Sequence, residues 1–296
     1  MQSPVDRREF LKLAGLGGVV LVSGCATAMG GASASADEGF YFVQLSDPHW
    51  GFEGPAINPD AQGTLQKAVA AVNGLSRQPD FVMFTGDLTH TTDDPKERRR
   101  RLAEFREIVG ELRVKDVRFM PGEHDASLDN GKAFKEFFGP THYTFDHKGV
   151  HCIVVDNVSD PMASIGDEQM QWLKGDLEQQ PKDARIVVFT HRPLFDLYPQ
   201  WDWATTDGAQ AIALLQTHDN VTVFYGHIHQ ENHFMSGNIA HHSARGLMFA
   251  LPVARSQPRR LPIPWDAAAP YRGLGFREVD AEKAPVRYAV VERPVV

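Results

Sequence analysis

The segment Phe40-Tyr41-Phe42-Val43-Gln44-Leu45-Ser46-Asp47-Pro48-His49 passes from an apolar run into residues of metal-ligand type. A short apolar run closed by turn-forming residues reads as a buried strand. The same arrangement recurs downstream. Phe81–Phe84 runs into Thr85-Gly86-Asp87, and Val117–Met120 into Pro121-Gly122-Glu123-His124-Asp125. Ile186–Phe189 leads to Thr190-His191, and Val221–Tyr225 to Gly226-His227-Ile228-His229. Helical spacing fills the intervals: Pro59–Leu75 aligns Leu65, Ala68, Val69 and Val72, and Pro95–Leu112 uses Leu102, Phe105, Ile108 and Val109. Asp167–Leu177 aligns Met170, Leu173 and Leu177, and Ala209–Leu215 is helical. Tyr143–Phe145 and Cys152–Val155 predict two more strands as antiparallel neighbours. Strands alternating with helices give an α/β domain with a parallel or mixed sheet. The text from Phe234 onward is strand-like with prolines and turns, and reads as the closing edge of that domain.

The chain has 296 residues, 30 basic and 38 acidic side chains, 13 histidines and two cysteines, with a net charge of −8. Two cysteines exclude a disulfide-stapled scaffold. An acidic balance argues against nucleic acid as a partner, because phosphate-backbone binding needs a basic footprint. Beyond Asp37 there is neither a glycine fingerprint for a dinucleotide nor a P-loop.

Residues 1–36 read as separate from the folded domain, 37–296. Arg7 and Arg8, followed by Phe10 and Leu11, resemble a twin-arginine export signal, with Leu11–Val22 as a short apolar stretch. That stretch is too short for an ordinary membrane-spanning helix. Val22-Ser23-Gly24-Cys25 resembles a lipobox, with Cys25 the lipidated residue; Ala34-Ser35-Ala36 offers a competing cleavage point. The expected partners are the export machinery and, through Cys25, the membrane; the expected location is the periplasm or the cell envelope. Cys152 lies in an apolar run and reads as a buried core thiol.

In open α/β sheets, ligands bind beyond the carboxyl ends of the strands. Asp47, His49, Asp87, Glu123, His124, His191, His227 and His229 all fall there. Mixed carboxylate and imidazole ligands suit Mn, Fe, Ni or Zn and argue against a calcium cage or thiolate site. The candidates exceed one tetrahedral site. Two ions sharing a carboxylate is the economical arrangement, able to activate water for attack at phosphorus.

The order D-x-H, G-D, G-x-H-D, H, G-H-x-H resembles the calcineurin-like metallophosphoesterase family over roughly Phe40 to Gln230. Gly86-Asp87-Leu88-Thr89 and Gln169–Leu177 look closest to its cyclic-nucleotide and glycerophosphodiester phosphodiesterase branch. The resemblance implies a four-layer α/β/β/α sandwich and two metal ions of the Mn, Fe or Zn type. It implies that Asp47, His49 and His229 hold the first ion, that Asp87 bridges, and that Glu123, His191 and His227 hold the second. His124 then stands near the leaving-group oxygen as proton donor or charge stabiliser. The implied activity is hydrolysis of a small-molecule phosphoester, as a phosphodiesterase or phosphatase, by a hydroxide between the two ions.

The family has asparagine where this chain has Glu123. Glutamate supplies an anion and, when ionised, no donor. Three readings stay open: activity with altered metal preference or substrate class, a metal centre with weak hydrolysis serving other chemistry such as redox, or a degraded site in an exported metal-binding protein. Among other residues, His90 reads either as a neighbour of the site or as a loop histidine. His142, His147, His151 and His218 read as ordinary surface or edge histidines. His233, His241 and His242 line the pocket, bind an extra metal or do neither. Arg98–Arg101 reads as a solvated helix face. Phe195, Tyr198, Trp201 and Trp203, and likewise Trp50 and Phe52, either wall a pocket or anchor their loops.

Overall fold

A computed structural model describes residues 39–281 and 288–295. The export signal, Cys25 and the Ala36 cleavage point lie outside the described residues. No helix among the described residues is long and apolar enough to cross a membrane.

Two mixed sheets lie face to face. The first contains β1 (Tyr41–Leu45), β2 (Phe81–Thr85), β3 (Val117–Met120), β10 (Gly275–Ala281) and β11 (Tyr288–Pro294), in the order β11-β10-β1-β2-β3. The second contains β4 (Tyr143–His147), β5 (Val150–Val154), β6 (Arg185–Phe189), β7 (Asn220–Tyr225), β8 (Asn232–Ser236) and β9 (Ile239–Ser243), in the order β4-β5-β6-β7-β9-β8. β1, β2 and β3 are parallel, as are β5, β6, β7 and β9. The remaining pairings, including β4 with β5, are antiparallel. The C-terminal text divides: β8 and β9 extend the second sheet, while β10 and β11 extend the first.

Parallel neighbours require crossovers, and helices supply them. α1 (Thr64–Asn73) buries Leu65, Ala68, Val69 and Val72, the stripe read from the sequence. α2 (Pro95–Val109) is capped by Asp94, which accepts from the backbone N–H groups of Lys96 and Glu97. These two helices share the first sheet's outer core with Val43, Leu45, Val82 and Phe84. α5 (Asp167–Leu177) and α6 (Gly208–Leu215) cover the second sheet, packing on Ile153, Ile186, Val188 and Val223. Two short helices, α3 (Glu123–Ala126) and α4 (Lys132–Phe138), follow β3. The layers are therefore helix, sheet, sheet, helix.

Strand alternation sends the other side chains into the space between the sheets. Phe42 stacks on Phe81 within its own sheet, centroids 4.9 Å apart, and meets Phe189 and Phe224 of the facing sheet edge-on at 5.6 and 5.3 Å. Cys152 is buried in this core. At the carboxyl ends, Gln44 of β1 donates through Nε2 to Thr85 Oγ1 and to the Tyr225 carbonyl of β7, each at 3.0 Å. That amide ties the sheets together immediately beneath the ligand-bearing loops.

Two sequence expectations change. Arg98 is buried, paired with Asp129 at 2.8 Å, so only part of the arginine run is solvated. His151 and His218 are buried rather than at the surface. His151 of β5 bridges Asp146 of β4 at 2.7 Å and Asp176 of α5 at 2.9 Å. Burial favours the neutral ring, but the two carboxylate hydrogen bonds outweigh it and hold His151 above the usual imidazole value. A folded pKa above the unfolded one stabilises the fold fully below pH ~6.5, and the contribution is lost as pH rises through the folded value. His151→Ala is therefore expected to remove part of the decline in stability above that pH. Urea denaturation across a pH series measures it; equal slopes in both proteins would refute the bridge.

Candidate dinuclear metal centre

Five loops bring the candidate ligands together. Past the strand ends the backbone ladder continues for a residue or two: Asp47 N–H donates to Gly86 O, His49 N–H to Asp87 O, and Gly226 N–H to His191 O. Asp47, His49, Asp87, His227 and His229 then take φ between 41° and 67°, the left-handed region. For residues with a Cβ this costs of order 1 kcal/mol or more each. The turn reverses each side chain so that it points back over the strand ends. Glycine is needed beside them for lack of room. A Cβ on Gly122 would lie 2.0 Å from Asp87 Oδ1, and one on Gly86 would lie 2.3 Å from His191 Nδ1.

Asp125 locks two of these loops together. Its buried carboxylate accepts from the backbone N–H groups of Leu88, Thr89 and Gly122 at 2.8–2.9 Å, and from the Thr89 hydroxyl. Burial and the charge of Asp87 push Asp125 up to about 6, against the donors that favour its anion. Asn157 does comparable work after β6, with Oδ1 accepting from His191 N–H and Arg192 N–H.

Among the described residues, ligand atoms gather in three groups, each within 4.8 Å: His49, His90 and His124 form one, and the two that contain carboxylates are Asp47, His49, Asp87 and His229, and Asp87, Glu123, His191 and His227. Asp87 belongs to both. The structure brings these seven residues together at the ends of five strands. His49 Nε2 and His191 Nε2 lie 3.5 and 3.4 Å from Asp87 Oδ2. His229 Nε2 is 3.3 Å from Asp47 Oδ1. Glu123 reaches His191 Nε2 at 2.8 Å and His227 Nδ1 at 2.9 Å.

The far nitrogens of these rings show which atoms are left for a metal. His191 Nδ1 donates to Thr85 O at 2.6 Å, His229 Nδ1 to Phe249 O at 2.6 Å, and His227 Nε2 to Asp202 O at 2.9 Å. Such partners fix the tautomer of ligand histidines. The opposite nitrogens then face inward with lone pairs. His49 Nε2 and His229 Nε2 stand 3.1 Å apart. His191 Nε2 and Glu123 Oε2, despite their proximity, are buried without a hydrogen bond. Lone pairs facing one another and a carboxylate repel unless positive charge lies between them, so the residues fit a pair of cations. Burial opposes charge on His191, but Asp87 and Glu123 hold its pKa well above the usual imidazole range. A dication takes the place of that proton on loading.

His124 sits at the rim, its side chain 25% exposed and Nε2 4.0 Å from Asp87 Oδ2. Thr91 N–H donates to its Nδ1 at 3.1 Å, which leaves the proton of the neutral ring on Nε2. His90 Nδ1 lies 3.4 Å from His49 Nδ1, placing His90 beside the site rather than in an independent loop. Burial, and then the charge of His124, bring His90 down to about 4. Phe249 stacks on both His49 and His229. Phe195, Trp201 and Trp203 are buried in a cluster that anchors their loop. His241 packs against Phe195, and His242 pairs with His233 at 2.7 Å; neither joins the metal groups.

Three neighbours of the site carry no motif in the sequence. Arg192 is buried with Nε 3.8 Å from Glu123 Oε2, held from behind by Asp202 at 2.5 Å. Phe249 and Arg260 line the cavity of about 150 Å³ above Asp87, Glu123 and His124. A histidine followed by arginine gave one local signal; Phe249 and Arg260 arrive from a segment with none.

Because Asp87 serves both groups, its loss is expected to cost more metal than loss of an unshared ligand. Asp47→Ala and His191→Ala should each lower binding toward one ion per chain, and Asp87→Ala below that, with elemental analysis after dialysis as the measurement. Equal stoichiometry in all three would contradict the sharing.

The calcineurin-like phosphoesterase model matches residues 40–231. The chain is 27% identical over 181 residues to a serine/threonine-protein phosphatase CPPED1 of Danio rerio, covering 53% of this chain and 57% of that protein. It is 28% identical over 169 residues to a probable glycerophosphodiester phosphodiesterase GpdQ of Arcobacter nitrofigilis, covering 51% and 56%. It is 24% identical to a probable cyclic nucleotide phosphodiesterase of Rhodopseudomonas palustris, covering 70% and 77%. The chain thus spans little more than half the length of the first two relatives. In fold it resembles a purple acid phosphatase of yellow lupin, with TM-score 0.61 and 14% identity over 82% of this chain and 49% of that one. With the ordered ligand loops, the paired sheets and the shared Asp87, the chain belongs to the calcineurin-like metallophosphoesterase family, related to its cyclic-nucleotide and GpdQ branch, with Glu123 in place of the usual asparagine.

Proposed function

We propose that this chain is a metal-dependent phosphoester hydrolase, with a phosphodiester the favoured substrate. The observation that carries the reading is the pair of ligand groups sharing Asp87, with the protonated Nε2 of His124 beside them. Bound there, two ions would activate water and draw charge from phosphoryl oxygens. The nitrogen and oxygen donor set, without thiolate, favours Mn, Fe or Zn. His124 is placed to hydrogen-bond a departing oxygen through its Nε2–H and to stabilise the charge that develops there. No side-chain nucleophile is needed. The relatives agree on phosphoester chemistry and differ in substrate, and the diester preference follows the two phosphodiesterases among them.

Glu123 shapes the rate. It adds a third carboxylate to the ligand set and removes the amide donor that the family's asparagine would offer a phosphoryl oxygen. Arg192, 3.8 Å away, offsets part of that charge and supports an adapted site over a degraded one. We also propose export, on Arg7, Arg8 and the apolar stretch behind them, with processing at Cys25 or after Ala36.

With the metals loaded, Glu123→Asn is expected to raise turnover of an aryl phosphodiester, and His124→Ala to lower it roughly 10²-fold or more. A phosphodiesterase and phosphatase panel with added Mn, Fe and Zn provides the measurement. No hydrolysis by either the natural chain or Glu123→Asn, at full loading, would overturn the hydrolase reading.

A further inference from the structure

The loop between β9 and β10 carries Arg255, Arg259 and Arg260, and no acidic residue stands from Val253 to Trp265. Among the described residues, none of these three guanidinium groups is paired with a carboxylate. The arginines of α2 differ: Arg98 meets Asp129, Arg99 meets Glu136, and Arg100 and Arg101 meet Glu97. On a chain of net charge −8, an acid-free arginine stretch concentrates positive charge, and through Arg260 it reaches the cavity of the metal centre.

Arg260 lines the same cavity as Asp87, Glu123 and His124, with Nη1 3.3 Å from His227 Nε2. That ring nitrogen already donates to Asp202 O, so it cannot accept from Arg260. The guanidinium donors are left for something in the cavity. Pro258 and Pro262 flank the pair and limit the backbone freedom of the loop. Beside the cavity runs an open groove of about 380 Å³, lined by Tyr198, Gln200, Trp201, Asp202, Arg259 and, shared with the cavity, Arg260; the Asp202 carboxylate there is paired with Arg192. Arg255 lies over the Tyr198 ring at the same end.

We propose that this loop is an anion clamp that defines the substrate class: a phosphoester carrying a second acidic group. Arg260 holds the phosphoryl oxygens at the metal centre, supplying the donor that Glu123 withholds. Arg259 receives the second anionic group along the groove. The inference rests on the hydrolase reading for the word substrate, but its anion-binding content is tested apart from turnover. A planar guanidinium gives a phosphoryl group two parallel hydrogen bonds, which an ammonium cannot reproduce.

The test uses the full metal-loaded chain and titration calorimetry with inorganic phosphate and pyrophosphate, beside hydrolysis of bis(p-nitrophenyl) phosphate. Arg260→Ala is expected to weaken phosphate binding roughly tenfold or more at unchanged metal content, with partial recovery in Arg260→Lys. Arg259→Ala should leave phosphate affinity within about twofold and weaken pyrophosphate about fivefold. In the Glu123→Asn background the cost of Arg260→Ala should shrink, because the asparagine amide restores a donor. Unchanged phosphate affinity in Arg260→Ala overturns the clamp. So does metal loss in Arg260→Ala that Arg260→Lys does not repair, which would make Arg260 a prop for His227. Arg259→Ala that affects both anions equally overturns the second-group assignment. A natural chain that binds phosphate through Arg260 but hydrolyses nothing would uphold the clamp and overturn the hydrolase reading alone.

Discussion

Three carboxylates and four imidazole nitrogens converge within a few ångströms where the protein has excluded most water, and each ring has committed its other nitrogen to a backbone or ring neighbour. Buried anions are costly unless paired. Lone pairs aimed at one another, as at His49 and His229, add repulsion. Positive charge at this point is therefore a condition of the arrangement. Protons supply part of it, as the raised pKa of His191 shows. Cations held by Asp87 from both sides supply it with the geometry that the loops impose.

The scaffold delivers these groups through strain that the sandwich is stiff enough to bear. Parallel strands end at one edge, and the Phe42, Phe81, Phe189 and Phe224 contacts fix the sheets against each other. Left-handed turns at five ligands then aim side chains that would otherwise continue outward along the strands. Asp125 and Asn157 spend their hydrogen bonds on the loop backbone, so the strained turns are held by buried polar contacts rather than by the metal alone. Ligand position is thereby set before an ion arrives, which lowers the ordering cost of binding.

Much of this was legible in the sequence because it is carried by local patterns. Apolar runs marked the central strands, and the α1 and α5 stripes marked their helices to within a few residues. The ligands followed those strands directly, as Asp47, Asp87, Glu123, His191, His227 and His229 do. What the sequence withheld depends on contacts between distant segments. His151 has the look of an edge histidine until Asp176, from a helix 25 positions away, closes over it. In the β8 to β11 text, β8 and β11 lie at sheet edges, with β9 and β10 next inside them, and an antiparallel strand near an edge need not be apolar on both faces. Phe249 and Arg260 have no motif, since their roles come from where a long return segment crosses the site.

Position 123 shows why such distant residues matter to the chemistry. An asparagine there would leave two carboxylates against the ions and add a hydrogen-bond donor; glutamate leaves three and adds none. Taken alone, that change weakens the field that attracts an anionic ester. In this chain two guanidinium groups stand near it, Arg192 beside Glu123 and Arg260 in the same cavity. Arg192 is buried behind the carboxylate and fixed by Asp202, so it neutralises charge without reaching substrate. Arg260 stands in front, on the cavity side, with donors free. The pair redistributes what one asparagine does: charge balance passes to Arg192, phosphoryl contact to Arg260. Because Arg260 belongs to an arginine-bearing loop that borders a second groove, moving the donor to that position also extends recognition beyond the reacting phosphorus, toward an ester with more than one negative group.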